Sequence, residues 1–284
     1  MPLELPEASM LDSYSGASRV IPIVGDPIAQ VKSPSGVTRA LRERGADAVI
    51  VPAHVAPADL AAWVAAMQLQ RNVDGIIVTV PHKFAVLPLC SVLTPRARSI
   101  GAVNIMRRLV CNEPSSGWVG DMCDGEGHVV GLRQAGCEPR GLRTLLVGAG
   151  GAGSAIAHAL VDAGVASLAL HEADLVRREA LAAKLRAYGA VPITTGSANP
   201  SGYDLVINAT PMGMRSTDPL PVDVSRLSPA TFVSDVVTQP SVPALIAAAR
   251  ERGCSTMTGI GMFEAVRDCI VNFYLQDGGA ASAA

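Results

Sequence analysis

The hydrophobic positions of this chain fall into short apolar runs, bounded by glycine, proline and polar residues, that alternate with stretches of helical spacing. A bounded apolar run reads as a buried strand, and recurrence at three and four residues reads as one face of a helix. The pattern predicts strands over 19–24, 49–52 and 75–80, with helices over 34–44 and 58–68 between them. A helix over 93–99, a hairpin-like region from Asn104 through Val119 and a helix over 127–134 follow. The second half gives strands over 144–147, 167–170, 204–208 and 232–236, and helices over 154–163, 175–188, 242–252 and 261–275. Strands alternating with helices predict an α/β fold with a mainly parallel sheet. Ser33 is expected to cap the helix that Pro34 begins. Residues 1–18 lack apolar periodicity and read as a mobile leader, and the Gly/Ala/Ser tail from Gly278 reads as disordered.

Composition narrows the function classes. Charged residues make up 17% and the net charge is −2, with no basic stripe, so a nucleic-acid partner is not expected. No apolar run approaches the length of a membrane span, and the first twenty residues lack a basic stretch ahead of an apolar core. A cytoplasmic location is the resulting expectation. Cys90, Cys111, Cys123, Cys137, Cys254 and Cys269 are scattered without C-x-x-C pairs or nearby histidine partners, so they read as reduced thiols and no metal site is expected.

The candidate chemistry centres on Leu145-Leu-Val-Gly-Ala-Gly-Gly-Ala-Gly153, where an apolar run breaks into glycines ahead of an alanine-rich helix. Gly148, Gly150 and Gly153 stand at the G-x-G-x-x-G spacing, with Gly151 inside it. That spacing allows a tight turn, close approach of a pyrophosphate to the backbone, and packing of the helix on its strand. The helix start directs N–H groups and a positive dipole end at the phosphate. About twenty residues on, a strand ends in His171-Glu-Ala-Asp174. An acid there hydrogen-bonds the ribose 2′-OH of NAD and repels the 2′-phosphate of NADP, so NAD is favoured, with Glu172 as first reader and Asp174 as second. Arg177 and Arg178 keep NADP possible. Earlier, Thr79-Val-Pro-His-Lys83 is a strand end that breaks at Pro81 and presents polar groups, the place where open α/β sheets bind ligands.

Several stretches, in one order, resemble the shikimate/quinate dehydrogenase family. Its G-x-P-I-x-H-S-x-S-P is similar to Gly25-Asp-Pro-Ile-Ala-Gln-Val-Lys-Ser-Pro34, and its N-V-T-V-P-x-K to Ile77-Val-Thr-Val-Pro-His-Lys83. Its G-A-V-N-T resembles Gly101-Ala-Val-Asn-Ile105, and its G-D-N-T-D-G resembles Gly120-Asp-Met-Cys-Asp-Gly125. Its I-N-A-T-x-x-G-M matches Ile207-Asn-Ala-Thr-Pro-Met-Gly-Met214, and its G-x-G-M-x-x-x-Q resembles Gly259-Ile-Gly-Met-Phe-Glu-Ala-Val266.

The resemblance implies a substrate domain over 1–123, completed by 259–284, and a Rossmann dinucleotide-binding domain over 124–258. A cleft separates them, and the C-terminal helix returns to the first domain. It implies Lys83 and Asp124 as the catalytic pair of an alcohol dehydrogenation, in which a side chain takes the hydroxyl proton while hydride goes to nicotinamide. A neighbouring carboxylate favours the ammonium whereas proton acceptance needs the free amine, so partial burial has to oppose the carboxylate. Ser33, Thr79 and Asn104 match substrate contacts, and Asn208, Thr210, Met212 and Gly259 fall in the motifs of the nucleotide side.

The departures concern the substrate shell. The family's first carboxylate-binding serine is Val31, the preceding histidine is Gln30, and the asparagine that holds ring hydroxyls is Ile77. The threonine after Asn104 is Ile105, the late glutamine is Val266 and a tyrosine near Pro240 is Thr238. An unpartnered buried polar group costs about 1–3 kcal/mol, so losing several such contacts weakens shikimate by orders of magnitude unless neighbours replace them. The expected partner is a small cyclic carboxylate: shikimate, quinate or a less hydroxylated analogue. The chain is expected to act as a monomer or homodimer. Two other readings share the scaffold. One is a methylene-tetrahydrofolate dehydrogenase, whose aromatic and lysine folate signature is missing around Lys83. The other is a nucleotide-dependent regulatory or binding protein without turnover, against which the retention of Lys83 and Asp124 argues.

Overall fold

The computed structural model describes residues 14–109 and 117–276. Cys111, residues 1–13 and the tail from Gly278 lie outside the described residues. Two sheets organise the chain. The first has the order β2-β1-β3-β5-β6-β4, from β1 (Arg19–Gly25), β2 (Ala48–His54), β3 (Gly75–Val78), β4 (Val92–Leu93), β5 (Ile105–Arg108) and β6 (Trp118–Asp121). Its helices are α1 (Ser33–Glu43), α2 (Leu60–Leu69) and α3 (Pro95–Ile100). The second sheet has the order β12-β11-β10-β7-β8-β9, from β7 (Arg143–Val147), β8 (Ser167–His171), β9 (Ile193–Thr195), β10 (Leu205–Asn208), β11 (Phe232–Asp235) and β12 (Thr256–Met257). Around it lie α4 (Asp124–Gln134), α5 (Gly151–Ala163), α6 (Leu175–Tyr188), α7 (Ala244–Glu251) and α8 (Gly259–Leu275).

Every pairing of the second sheet is parallel. Strand order reverses between β7 and β10, and the carboxyl ends of the strands at such a switch point form the ligand crevice of a doubly wound sheet. The first sheet departs from the mainly parallel expectation, because β5 runs antiparallel to both β3 and β6. These two strands occupy the hairpin-like region, and the connection over 110–116 lies outside the described residues. Register places Ile77 between Ile23 on one side and Ile105 on the other.

Several local expectations are corrected. Ser33 does not cap α1: it is the first helical residue, and Lys32 occupies the cap position without a side-chain bond. Helix α4 begins at Asp124 and α5 at Gly151, three residues earlier than the apolar spacing marks, because glycine and acidic first-turn positions carry no hydrophobic signal. Helix α3 starts at Pro95, with the Thr94 hydroxyl accepting from the Ala97 amide. The end of the expected leader is anchored: the Ser18 hydroxyl donates to the Asp47 carboxylate at 3.0 Å, and the Arg42 guanidinium lies 4.2 Å from the centre of the Tyr14 ring.

One core cluster joins the sheets. Ile21, Ile23, Ile77 and Ile105 belong to the same buried group as Val129 and Leu132 of α4, Val266 and Ile270 of α8, and Leu146 and Ile156 of the second sheet and its helix. Helix α4 packs on both α5 and α8, and α8 also packs on α1. Glycine makes the first of these approaches possible: a Cβ on Gly125 would stand 2.1 Å from the Ala155 carbonyl oxygen of α5. On Gly127 it would stand 2.4 Å from Cγ2 of Val266 on α8.

Candidate active site

Lys83 follows β3 in a turn closed by backbone bonds from the Thr79 amide to the Val24 carbonyl and from the Val103 amide to the carbonyl of Lys83 itself. The neighbouring His82 points into the core, where its Nε2 lies 2.8 Å from the Val55 carbonyl oxygen. Lys83 thus carries the chemistry of this segment. Its ammonium is ion-paired with Asp124 at the start of α4, and the two side chains are 15% and 7% exposed. Asn104 fixes the carboxylate from the other side: its Nδ2 donates to Asp124 Oδ1 at 2.7 Å, while its Oδ1 accepts from the Cys123 amide at 2.9 Å. The remaining donor of Nδ2 reaches Cys123 Sγ at 3.3 Å, so the amide is engaged on the protein. Burial and the adjacent Asp124 charge push the Cys123 thiol well up, which keeps it protonated. Asp121, the other acid of this motif, is half of a structural network. Burial opposes its ionisation, but hydrogen bonds from Arg96 and Thr94 outweigh burial and hold its carboxyl below the usual range.

The glycine turn faces this pair. Gly148 directly follows β7 with a φ of 102°, and a Cβ on Gly153 would meet the Gly148 carbonyl oxygen at 2.1 Å, so the strand end and the helix touch through backbone. Gly150 precedes α5 with nothing within 4 Å of a Cβ, leaving open space at the helix start. Gly151 lies against Lys83, whose Cβ would be 2.9 Å from a side chain there. These features suit a pyrophosphate on the α5 N-terminus with its nicotinamide end toward Lys83.

Behind the turn, Glu172 is 13% exposed and accepts from the Ala149 amide at 2.8 Å and the Asp174 amide at 3.1 Å. Asp174 is 48% exposed and caps α6 by accepting from the Arg177 amide at 3.0 Å. Arg177 lies 4.0 Å from Glu172 and 3.7 Å from Asp174. On the other side of the switch point, Asn208 Oδ1 accepts from the Thr210 hydroxyl at 2.6 Å and Nδ2 donates to the Met212 carbonyl at 3.0 Å. Gly259 opens α8 directly against the Val237 carbonyl oxygen, 2.3 Å from where a Cβ would stand.

The substrate-side positions separate into two groups. Ile77, Ile105 and Val266 are buried in one apolar cluster, and Val31 packs on it. The hydroxyls of Ser33, Thr79 and Thr238 make no side-chain hydrogen bond among the described residues. Among the described residues, no cluster of three or more His, Cys, Asp or Glu could hold a metal, and no helix is long and apolar enough to cross a membrane.

Comparison with known proteins accords with this geometry. The family model described as the shikimate dehydrogenase substrate binding domain matches residues 23–106. The chain is 36% identical over 264 residues to the shikimate dehydrogenase (NADP(+)) of Geobacter metallireducens, spanning 90% of each protein. It belongs to the shikimate dehydrogenase family. Quinate dehydrogenase from Corynebacterium glutamicum in complex with NAD aligns with a TM-score of 0.79 at 28% identity, covering 91% of this chain and 94% of that one. The ligand-free 5-ketofructose reductase of Gluconobacter sp. strain CHM43 aligns with a TM-score of 0.77, also at 28% identity, over 91% and 93% of the two chains.

Within this family member, two buried titratable groups escaped the sequence reading. Asp235, at the end of β11, accepts from the Val237 amide at 2.8 Å and from Asn208 Nδ2 at 3.2 Å, which ties the loops after β10 and β11 together. Burial pushes its carboxyl up to about 7, and its Oδ2 has no partner. His128 of α4 lies between Met262 Sδ of α8 at 3.3 Å and the Ser234 hydroxyl of β11 at 3.2 Å, and burial lowers it to about 3. Asp235 ends a strand at the crevice and was available as a signal. Nothing local distinguishes His128.

Proposed function

We propose that this protein is a nicotinamide-dependent oxidoreductase that interconverts a secondary alcohol and its ketone on a small hydroxylated substrate of the shikimate and quinate type. Lys83 and Asp124 handle the proton, and NAD is the preferred nucleotide. The reading is carried by one observation: the Lys83–Asp124 ion pair sits against Gly151 of the glycine turn, with room there for no more than a hydrogen. Oxidising a secondary alcohol removes a hydride from carbon and a proton from oxygen. A bound nicotinamide supplies the hydride acceptor. Lys83 as free amine takes the hydroxyl proton at Nζ, while Asp124, held by Asn104, orients that amine and stabilises the ammonium that forms. In ketone reduction the same ammonium returns the proton to oxygen. The named relatives, a dehydrogenase of quinate and a reductase of 5-ketofructose, support this chemistry on the fold.

Glu172 supports the nucleotide preference. Its carboxylate bonds the Ala149 amide inside the glycine turn, at the strand end where an acid meets the adenosine ribose. A 2′-phosphate would meet this half-buried negative charge. Curated relatives such as the Geobacter enzyme carry NADP(+) in their names, whereas the quinate dehydrogenase from Corynebacterium glutamicum is in complex with NAD. We divide the chain accordingly into a substrate unit, 1–123 with 259–284, and a nucleotide unit, 124–258. The test follows reduced-nucleotide absorbance with shikimate and quinate, using NAD and NADP in parallel. NAD is expected to give kcat/KM about a hundredfold higher, and Glu172→Ser to narrow the ratio to about tenfold or less. Comparable rates with both nucleotides would reject the preference.

A further inference from the structure

Three segments meet at the carboxyl ends of the central strands of the second sheet: the glycine turn after β7, the loop after β10 and the loop after β11. One side-chain pair joins them. Asp235, 0% exposed, accepts through Oδ1 from the Val237 amide at 2.8 Å and from Asn208 Nδ2 at 3.2 Å. Asn208 in turn accepts through Oδ1 from the Thr210 amide at 3.1 Å and the Thr210 hydroxyl at 2.6 Å, and donates from Nδ2 to the Met212 carbonyl at 3.0 Å. The Thr210 hydroxyl accepts from the Met212 amide at 3.1 Å, and its methyl lies 2.8 Å from where a Cβ on Gly148 would stand. On the far side, the carbonyl oxygens of Val236 and Val237 crowd the place a Cβ on Gly259 would take, so the start of α8 leans on the same loop.

Asp235 and Asn208 are both enclosed, so neither side chain touches a ligand; they act by fixing backbone at the crevice. Asp235 Oδ2 has no partner and gains nothing from burial, so the carboxyl works through Oδ1. Such a network holds its backbone in one arrangement only while each member is satisfied. Without Oδ1, the Val237 amide and one hydrogen of Asn208 Nδ2 lose their acceptor, which loosens both loops at once. We infer that Asp235 is a positioning residue for the nucleotide: through Asn208 it sets the loops after β10 and β11 against the glycine turn and so shapes the crevice that receives the dinucleotide. This rests on the dehydrogenase reading above and adds a residue to its nucleotide side.

The test titrates the full chain, free of substrate, with NADH and with NADPH by nicotinamide fluorescence, for the wild type, Asp235→Ala and Asp235→Asn, and records urea midpoints in parallel. Loss of two hydrogen bonds is expected to weaken binding of the preferred nucleotide by about tenfold or more in Asp235→Ala. Asp235→Asn keeps the Oδ1 acceptor and is expected to stay within about threefold of the wild type. A folded alanine variant that binds as tightly as the wild type overturns the inference, whatever its urea midpoint, because a purely structural tie lowers stability and leaves affinity unchanged; the dehydrogenase reading then stands. An asparagine variant as weak as the alanine one overturns it too. Wild-type protein that binds neither nucleotide overturns both readings, whereas the expected binding differences in a protein without turnover sink the dehydrogenase reading and uphold the inference. Where the alanine variant does not fold, hydrogen exchange of the wild type decides: on addition of NADH the Thr210, Met212 and Val237 amides are expected to slow by a common factor, and protection of one loop alone overturns the inference.

Discussion

Lys83 and Asp124 meet from opposite ends of a 41-residue separation, and the local chemistry of the site follows from how each is held. Replacing Lys83 with Ala removes the proposed proton acceptor and is expected to lower kcat by about 10²–10⁴-fold with an unchanged circular dichroism spectrum. Normal turnover by that variant would remove the assignment. Asn104→Ala should act differently. It leaves Asp124 Oδ1 and the Cys123 amide without their partner, so it should cost about 1–3 kcal/mol in urea unfolding as well as lowering kcat. The motif order pointed to Lys83 and Asp124, which the fold brings together, and the resemblance cast Asn104 as a substrate contact. Its attachment to Asp124 and Cys123 was not legible, because hydrogen-bond satisfaction at one residue depends on partners 19 and 20 positions away.

At the scale of elements, α4 is the piece on which the site depends. It presents Asp124 at its first turn, where a carboxylate also suits the positive end of the helix, and it packs on α5 and α8 through glycine faces. Gly125→Ala drives a methyl into the Ala155 carbonyl of α5, which must shift as backbone. The variant is expected to lose about 1–3 kcal/mol in urea unfolding. A wild-type midpoint would show that the helices separate without cost. The alternation of strands and helices was readable because buried strands and helix faces have distinct periods. The two-residue strands β4 and β12 and the three-residue β9 were missed, since runs so short carry no periodicity. The early starts of α4 and α5 were missed for a related reason: their first turns are glycine and polar, and only the backbone bonds define them.

For the whole molecule, two buried groups make opposite contributions to the pH dependence of stability. His128 is lowered to about 3 by burial, so the folded state holds it neutral while the unfolded chain takes up a proton near its ordinary value. Stability from this residue is therefore present above about pH 6.5 and lost progressively as pH falls toward 3, on the order of a few kcal/mol in all. Asp235 is raised to about 7 by burial, so the folded state retains a proton that the unfolded chain releases near pH 4. Its contribution is present below about pH 4 and lost as pH rises through 7, again on the order of a few kcal/mol. The two slopes are opposite and nearly cancel between about pH 4 and 6.5, so urea midpoints should stay almost level there, falling below about pH 4 through His128 and from about pH 6.5 to 7 through Asp235. Asp235→Asn keeps the acceptor for Val237 and Asn208 and is expected to gain on the wild type as pH rises from 5 to 8. A stability difference independent of pH would show that Asp235 is not protonated in the folded protein.

What the sequence by itself determined is local or ordered along the chain: the alternation of elements, the glycine turn and its following acid, and the succession of motifs that carries Lys83 and Asp124. Periodicity, turn chemistry and short motifs need only neighbouring residues, so a linear reading recovers them. The tertiary structure decided which polar groups are already engaged, that Ile77, Ile105 and Val266 share one buried apolar cluster on which Val31 packs, and how His128 and Asp235 hold their protons. Desolvation and hydrogen-bond partnership are properties of a place in space, and each of those places is built from segments far apart in the chain.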